Sequence, residues 1–319
     1  MLMVGGFHEI FATMAFFLAF THNRCDMKLM KSAIAVMAFG LASYAYAAPT
    51  FTQVWSLDTG LDKPESVAYD AKRDRLYVSN VQGEPLGMDG EGYISTVDLD
   101  GKMLNQKWVA AGLNAPKGMA VTETTLFVSD VNALVAIDIE AGKVTQRYTA
   151  EKSVFLNDVT IDEQGNVYVS DLFDDTIYCL CDGQFSVWVK DAALASPNGL
   201  LAEKDRLIVG SWGIRSEGFQ TSEVGYLKVI PYANNSKIMP LGSTETFANV
   251  DGVESDGEDG YFVTDWIAGK LFAVDAEGKA TEVMDYNQGS ADHEYIADKG
   301  LLFVPMMLDN QVVAFKKSN

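Results

Sequence analysis

Six stretches of the chain repeat one pattern, in which a turn leads into a short strand, a polar turn and then an aliphatic or aromatic strand. Two of them read "LNDVTIDEQGNVYVSD" and "PNGLLAEKDRLIVGSW". Each repeat continues with two further strand-like runs, separated by the Asp-Gly, Ala-Gly or Glu-Gly turns that are typical of hairpins. Four strands in about 40 to 50 residues, repeated six times, are typical of a β-propeller. We therefore predict an all-β fold, a six-bladed β-propeller of four-stranded blades.

The last repeat shows only three strand-like runs, and the segment "FTQVWSL" at residues 51–57 is expected to supply its fourth strand. Trp55, Trp108 and Trp188 each stand nine or ten residues before the inner strand of the next repeat. We predict that the N-terminal strand of the mature chain closes the ring, since closure removes an exposed sheet edge. The three tryptophans are expected to pack between blades.

The first 47 residues have the pattern of targeting sequence. Residues 27–47 have a basic start, an apolar stretch and an Ala-Tyr-Ala ending, which is the layout of a secretory signal peptide. Residues 1–26 are interpreted as an upstream extension that a mistaken start assigns to the chain, and residues 48–319 as a single propeller domain. The sequence thus predicts a periplasmic or secreted protein, with no membrane span in the mature chain.

Charge and histidine content limit the chemistry that the chain can perform. The formal net charge of −20 repels nucleic acid, so a small-molecule substrate is expected and a nucleic-acid partner is not. After residue 47 His293 is the sole histidine, which excludes a His-rich zinc site. A bound metal would depend on oxygen ligands, which favour Ca²⁺, with Mg²⁺, Mn²⁺ or Zn²⁺ as alternatives.

One polar marker residue begins each inner strand. In a propeller these strands line the central channel, so the marker side chains should converge at the channel mouth. The six markers are Glu65, Lys117, Asn157, Asn198, Asp251 and Asp292. The residues that follow them are Ser66, Gly118, Asp158, Gly199, Gly252 and His293. Carboxylates and amides in this number are typical of a hard-cation site, although Asn and Asp at such positions also form turns.

The repeats and the phrases "PESVAYD", "SPNGLLAE" and "VDGVESDGEDGYFVTD" resemble the SMP-30/gluconolactonase/LRE-like family of six-bladed propellers over nearly all of residues 48–319. The resemblance implies one divalent cation held by Glu65, Asn198 and Asp251. It also implies that Asn157 binds substrate or a water on the cation, which makes Asn157 the fourth candidate metal ligand. The activity that the resemblance implies is hydrolysis of a small lactone or related ester.

In that chemistry the cation polarises the carbonyl and a carboxylate, here Asp251, accepts a proton from water. His293 is a second candidate catalytic residue, although an inward histidine can also be only a hydrogen-bonded neighbour. The candidate substrate contacts are Asn157, Asp158, Lys117 and Trp212. Phe155 and Leu156 precede Asn157 where sugar-lactone members carry an Arg, which favours a less polar substrate.

Two other interpretations remain open. A non-catalytic propeller, acting as a binding or scaffold module around a structural cation, would have the same fold and the same site composition. A thiol-based redox role for Cys179 and Cys181 is the third interpretation. On one strand their Cα atoms would lie roughly 7 Å apart, so a strained or absent disulfide is expected in place of a functional redox pair.

Overall fold

The computed structural model describes residues 48–153 and 155–318. The predicted extension over residues 1–26 and signal peptide over 27–47 lie outside the described residues. Six four-stranded antiparallel sheets account for almost all regular structure within the described ranges, which confirms the predicted six-bladed β-propeller. No helix in these two ranges has the length and apolar character needed to cross a membrane.

The first strand, β1 (Phe51–Leu57), belongs to blade 6 and precedes three blades whose strands follow chain order. Blade 1 consists of β2 (Pro64–Asp70), β3 (Arg75–Asn80), β4 (Tyr93–Asp98) and β5 (Met103–Val109). Blade 2 consists of β6 (Pro116–Val121), β7 (Thr125–Asp130), β8 (Ala133–Asp138) and β9 (Lys143–Thr149). Blade 3 consists of β10 (Leu156–Ile161), β11 (Val167–Asp171), β12 (Thr176–Cys181) and β13 (Gln184–Lys190).

Blade 4 carries an inserted hairpin. A short 3₁₀ helix (Ala192–Leu194) leads into it. Its sheet consists of β14 (Pro197–Ala202), β15 (Arg206–Ser211), β18 (Leu227–Pro231) and β19 (Met239–Pro240). Between β15 and β18 the chain forms a separate two-stranded sheet, the hairpin of β16 (Gly213–Arg215) and β17 (Thr221–Val224).

The last two blades complete the ring. Blade 5 consists of β20 (Val250–Ser255), β21 (Tyr261–Asp265), β22 (Lys270–Val274) and β23 (Ala280–Asp285). Blade 6 combines β24 (Glu294–Ile296), β25 (Leu301–Met306) and β26 (Gln311–Lys317) with β1, and a 3₁₀ helix (Met307–Asp309) lies between β25 and β26. Strand β1 pairs antiparallel with β26, from Phe51 opposite Lys317 to Leu57 opposite Val312.

The hydrophobic core lies between the blades. Six clusters of buried side chains each combine residues from two neighbouring blades, including one cluster between blade 6 and blade 1. In that cluster Phe303 packs with Leu76 and Val78, all of them fully buried. Because burying one such side chain stabilises the fold by about 1.5–3 kcal/mol, each blade is held mainly by its two neighbours.

The three tryptophans pack between blades, as predicted. Trp55 on β1 donates its indole N–H to the carbonyl oxygen of Leu99 in blade 1, at 2.8 Å. Trp108 joins the cluster between blades 1 and 2, and Trp188 joins the cluster between blades 3 and 4. These indoles therefore serve as structural contacts.

The two cysteines of blade 3 form a disulfide. The Cα atoms of Cys179 and Cys181 lie 5.4 Å apart, inside the usual range for such a bond. The sequence left open that the disulfide is absent, and the structure contains the bond. With both sulfurs bonded, neither cysteine presents a free thiol.

Candidate functional site

A β-bulge lies at the marker position of five blades. In blade 1, Pro64 of β2 pairs with Asn80 of β3, and the next paired residues are Val67 and Val78. Glu65 and the residue after it therefore lie opposite a single residue of β3. The same register shift occurs at the corresponding position of blades 2, 3, 4 and 5. A bulge leaves a residue unpaired and changes the direction of its side chain. Five of the six markers therefore lie outside the regular pairing of the first and second strands.

Hydroxyl groups of the second strands satisfy the backbone of three bulges. The N–H groups of Ser66, Asp158 and Gly252 each donate to a hydroxyl oxygen at 2.9 Å. Their acceptors are Ser79, Ser170 and Thr264, respectively. All three hydroxyls belong to the "VSN", "VSD" and "VTD" phrases, so these recurring residues support the bulges from the second strands.

Small residues after the markers allow the inner strands to approach closely. A Cβ atom on Gly118 would lie 2.5 Å from the Cα of Asp158, and one on Gly252 would lie 2.8 Å from Oδ1 of Asp292. A Cβ on Gly199 would overlap the carbonyl oxygen of Asp251. Each inner strand contacts those of both neighbouring blades, in the order β2, β6, β10, β14, β20, β24 and back to β2.

Five of the predicted site residues line one cavity at the channel mouth, with a volume of about 130 Å³. They are Glu65, Lys117, Asn157, Trp212 and Asp251. We call this space the apolar cavity, because most of the remaining wall is apolar: Pro85, Phe155, Leu172, Phe219, Trp266 and Met307. The structure thus brings together the markers of blades 1, 2, 3 and 5.

The charged groups at this cavity are buried and close enough to perturb one another. Burial, together with the carboxylates of Asp251 and Asp292, raises the pKa of Glu65. Burial and Asp292 likewise raise the pKa of Asp251. Burial lowers the pKa of Lys117 to about 8, although Glu65 acts in the opposite direction. Carboxylates held together in this way accept a compensating cation readily.

Several buried polar atoms around the markers have no hydrogen-bond partner. They include Oε2 of Glu65, both side-chain amide atoms of Asn198 and Nε2 of His293. Asn198 is only 1% exposed. A buried polar group without a partner costs about 1–3 kcal/mol, so two orphaned atoms on one side chain need an explanation.

The donor set fits a hard divalent cation. Carboxylate and amide oxygens are the ligands that Ca²⁺ accepts, and Glu65 and Asn198 each hold an orphaned oxygen. Among residues 48–153 and 155–318, no group of three or more His, Cys, Asp or Glu side chains is placed to hold a metal ion. The predicted set has a different composition, because two of its four members are amides.

Asp158 and Asp292 face a different space from the other site residues. They line a cavity of about 250 Å³, here called the acidic cavity, together with Glu254 and Glu294. The Asp158 carboxylate accepts hydrogen bonds from the backbone N–H groups of Val159, at 2.6 Å, and Leu200, at 2.5 Å. In this arrangement Asp158 ties blade 3 to blade 4, and it does not line the apolar cavity with Asn157.

His293 is buried against blade 5. It is 1% exposed, and its Nδ1 lies 3.4 Å from Oγ1 of Thr264. Burial lowers its pKa to about 3, which keeps the imidazole neutral. His293 is not among the residues that line the apolar cavity, whereas its orphaned Nε2 leaves it able to make a further polar contact.

The sequence interpretation missed most of the cavity wall. Phe219 lies on the hairpin inserted in blade 4, and its ring centroid is 5.3 Å from that of Phe155. The longer spacing between the fourth and fifth repeats is the signal that could have shown the insertion. Leu172, Pro85 and Met307 lie in connections between strands, where the repeat pattern carries no information.

Replacing Gly199 by Ala should both destabilise the protein and weaken Ca²⁺ binding, if the markers hold that ion. The new methyl group would overlap the carbonyl oxygen of Asp251, so β14 and β20 must separate. Overpacking of this kind costs about 1–3 kcal/mol of unfolding free energy. Thermal unfolding and calorimetric Ca²⁺ titration measure the two effects.

Gly165→Ala is the matched control for this substitution. Its Cβ would meet nothing within 4 Å, but its φ is +84°, so it should lose about 1–2 kcal/mol of stability from backbone strain alone. Its Ca²⁺ affinity should stay at the wild-type value. Equal Ca²⁺ affinities in the Gly199 and Gly165 variants would contradict the proposed coupling between strand approach and the marker cluster.

The chain matches no protein-family model, and no curated protein sequence matches it. Solved structures do match. A protein provisionally described as a gluconolactonase is 13% identical with a TM-score of 0.64, over 85% of this chain and 93% of its own.

Two lyases are similar as well. A streptogramin B lyase is 10% identical with a TM-score of 0.59, over 86% of this chain and 100% of its own. The other is a catalytically inactive histidine-to-alanine variant of virginiamycin B lyase from Staphylococcus aureus, in a structure with quinupristin. It is 12% identical with a TM-score of 0.57, over 84% of this chain and 99% of its own. At these identities the comparisons show the fold, which is the six-bladed β-propeller that the sheets display.

Proposed function

We propose that the channel mouth binds one divalent cation, with Ca²⁺ the first candidate, and that the protein hydrolyses a small lactone or ester there. The observation that carries the proposal is the buried side chain of Asn198, both of whose amide atoms lack a partner, together with the unpartnered Oε2 of Glu65. Both residues lie at the start of inner strands, although Asn198 is not among the residues that line the apolar cavity. The ligands would be Glu65, Asn198 and Asp251, with Asn157 as the fourth. This set is also the one that the resemblance to the SMP-30/gluconolactonase/LRE-like family implies.

The chain's own residues have distinct roles in this proposal. When bound, a divalent cation supplies Lewis acidity toward a carbonyl group and toward water. The carboxylate of Asp251 accepts a proton from water, as a general base does. The amide of Asn157 orients the substrate carbonyl. The apolar wall excludes bulk water, which strengthens electrostatic interactions inside the cavity.

The names of the structural neighbours are consistent with an enzyme but do not decide the matter. A chain from a nidogen/laminin complex is also similar, with 19% identity and a TM-score of 0.55, over 71% of this chain and 81% of its own. A non-catalytic module with a structural cation is therefore the competing function, because fold alone does not separate the two.

Export guided by residues 27–47 belongs to the proposal too, and N-terminal sequencing of the protein recovered outside the cytoplasm tests it.

Removal of the cation should abolish lactone hydrolysis. We expect about one equivalent of Ca²⁺ by elemental analysis, and at least a roughly hundredfold loss of kcat/KM after chelation, because Lewis-acid assistance supplies several kcal/mol to the transition state. Re-addition of Ca²⁺ should restore the activity. Stoichiometric cation without turnover across a panel of lactones and esters would support the binding module, and activity that survives chelation would contradict the metal-dependent mechanism.

A further inference from the structure

We infer that the substrate carries a neutral, apolar group the size of a single six-membered ring, and that the hairpin of blade 4 selects for it. This inference rests on the proposed function, since it names the substrate class of the same site. The cavity walls, the cavity volume and the position of the hairpin support it.

The apolar cavity has few polar groups among its walls. They are Glu65, Lys117, Asn157 and Asp251. The other lining residues are aromatic and aliphatic, and among them Trp212 and Trp266 have ring centroids 6.4 Å apart. Such a site orients one polar reacting group and surrounds the remainder of the ligand with apolar surface.

The volume of the cavity suits an apolar group of about one ring. The cavity measures about 130 Å³. An apolar protein cavity of about 150 Å³ accommodates benzene, so a six-membered lactone ring is of the size that this space holds. A polyhydroxylated ring of the same size would place hydroxyls against apolar walls, where each one without a partner weakens binding.

The hairpin provides the wall that closes the cavity. The rings of Phe155, Phe173 and Phe219 form a cluster with centroid distances of 4.9 to 5.3 Å. The indole N–H of Trp212 donates to the carbonyl oxygen of Phe219 at 2.9 Å. Phe219 is thereby fixed by its own backbone as well as by its ring.

Arg215 anchors the hairpin on the rim of the cavity. Its guanidinium donates to the carbonyl oxygens of Gly218 and Phe173, both at 3.0 Å, and to Oγ of Ser196 at 3.1 Å. The guanidinium also lies over the Phe173 ring, 4.3 Å from its centroid. The wall is therefore formed before any ligand arrives, and a preorganised wall can discriminate between ligands of equal size.

The first experiment measures binding without chemistry. The probes are δ-valerolactam and glucono-δ-lactam, two unreactive ring amides that share a six-membered ring and differ in their hydroxyl and hydroxymethyl groups. Isothermal titration to the full mature protein should show at least about tenfold tighter binding of δ-valerolactam. Tighter or equal binding of the sugar lactam, or no binding of δ-valerolactam to folded protein, would overturn the inference.

Variants of Phe219 test the role of the hairpin. Phe219→Ser should weaken δ-valerolactam binding about tenfold and leave glucono-δ-lactam binding unchanged, and Phe219→Leu should restore most of the loss. Because Phe219 is 36% exposed, both variants should fold, as circular dichroism can verify. Leu104→Ala, an exposed apolar truncation on the outer strand of blade 1, is the control. Equal effects of Phe219→Ser on both lactams would contradict the selecting role.

Hydrolysis of the two lactones that correspond to these lactams distinguishes a failure of this inference from a failure of the proposed function. The wild-type protein with Ca²⁺ should hydrolyse δ-valerolactone with a kcat/KM at least about tenfold higher than that for glucono-δ-lactone. The opposite preference would overturn the inference while the lactonase function stands. If the protein bound δ-valerolactam but hydrolysed neither lactone, the result would support the inferred binding site and contradict the proposed function.

Discussion

Asp251→Asn should lower kcat/KM for lactone hydrolysis by about a thousandfold and leave the fold intact. The substitution keeps the size of the side chain but removes the carboxylate that accepts the proton, a role worth about 10²–10⁴ in rate. It also removes one charged oxygen ligand, so Ca²⁺ affinity should fall. Steady-state kinetics at saturating Ca²⁺ separates the loss of the base from the loss of the ion.

The stability of the same variant gives a second and opposite readout. Burial and the carboxylate of Asp292 raise the pKa of Asp251, so the charged form is unfavourable in the folded, cation-free protein. Without Ca²⁺ at pH 8, Asp251→Asn should therefore unfold at a higher temperature than the wild type. A purely structural role for Asp251 would lower the unfolding temperature and the activity together.

Asp285→Asn is the matched control for this prediction. Asp285 ends the outer strand of the same blade, where its side chain is exposed. The same chemical change there should alter neither the kinetics nor the unfolding temperature by a measurable amount. If Asp251→Asn retained more than about a tenth of the wild-type activity at saturating Ca²⁺, its assignment as the general base would be wrong.

The repeat pattern predicted the blades because each blade is built from local hairpins with ordinary turn chemistry. It also predicted that distant markers meet, since every repeat begins with the strand that lines the channel. Glu65 and Asp251 accordingly line one cavity, although they stand in different blades. Position within a repeat was therefore enough to predict that four of the six markers line one cavity, whereas Asp292 lines the acidic cavity and Asn198 lines neither.

The direction in which each side chain points could not be predicted from the sequence. Two neighbours in one phrase, Asn157 and Asp158, were both assigned to the substrate, yet they face different cavities. The bulge at this position sets their directions, and no single residue type marks a register shift. The glycines after the markers were recognised as small, but only the packing shows that Gly199 lies against the backbone of Asp251.

The apolar cavity could not be predicted as a unit, because its wall comes from segments outside the repeat. Phe219 lies on an inserted hairpin, and Met307 lies in the 3₁₀ helix between β25 and β26 of a different blade. Trp212, which the sequence suggested as a substrate contact, does line the cavity, and it stands just beyond the end of a second strand. Long-range packing of insertions carries no periodic signal, so their contribution is visible only in three dimensions.

The cation-free protein should lose stability as the pH rises from about 4 to about 7. Burial raises the pKa of Asp292 from 3.8 to about 7 and that of Glu294 from 4.5 to about 7. In this interval the folded state holds more protons than the unfolded state, so the unfolding free energy falls as the pH increases and levels off above the folded pKa. Thermal unfolding in a chelating buffer across this range measures the effect.

Asp292→Asn isolates one contribution to that profile. The amide cannot ionise, and its oxygen can still accept the hydrogen bond that Ser66 donates to Asp292 at 2.6 Å. The variant should therefore show a shallower fall in unfolding temperature between pH 4 and pH 7 than the wild type. A profile identical to that of the wild type would show that Asp292 is ionised throughout this range.

Ca²⁺ should reverse the loss of stability, and more strongly at high pH. Protons compete with the ion for the oxygens of Glu65 and Asp251, whose pKa values are both raised by burial. As the pH rises, more of these carboxylates ionise and repel one another, so a bound cation removes an unfavourable term as well as adding its own binding free energy. At pH 5 protons relieve more of that repulsion than at pH 8, and the gain in unfolding temperature should be smaller. An equal gain at both values would place the ion elsewhere on this acidic protein, away from the buried markers.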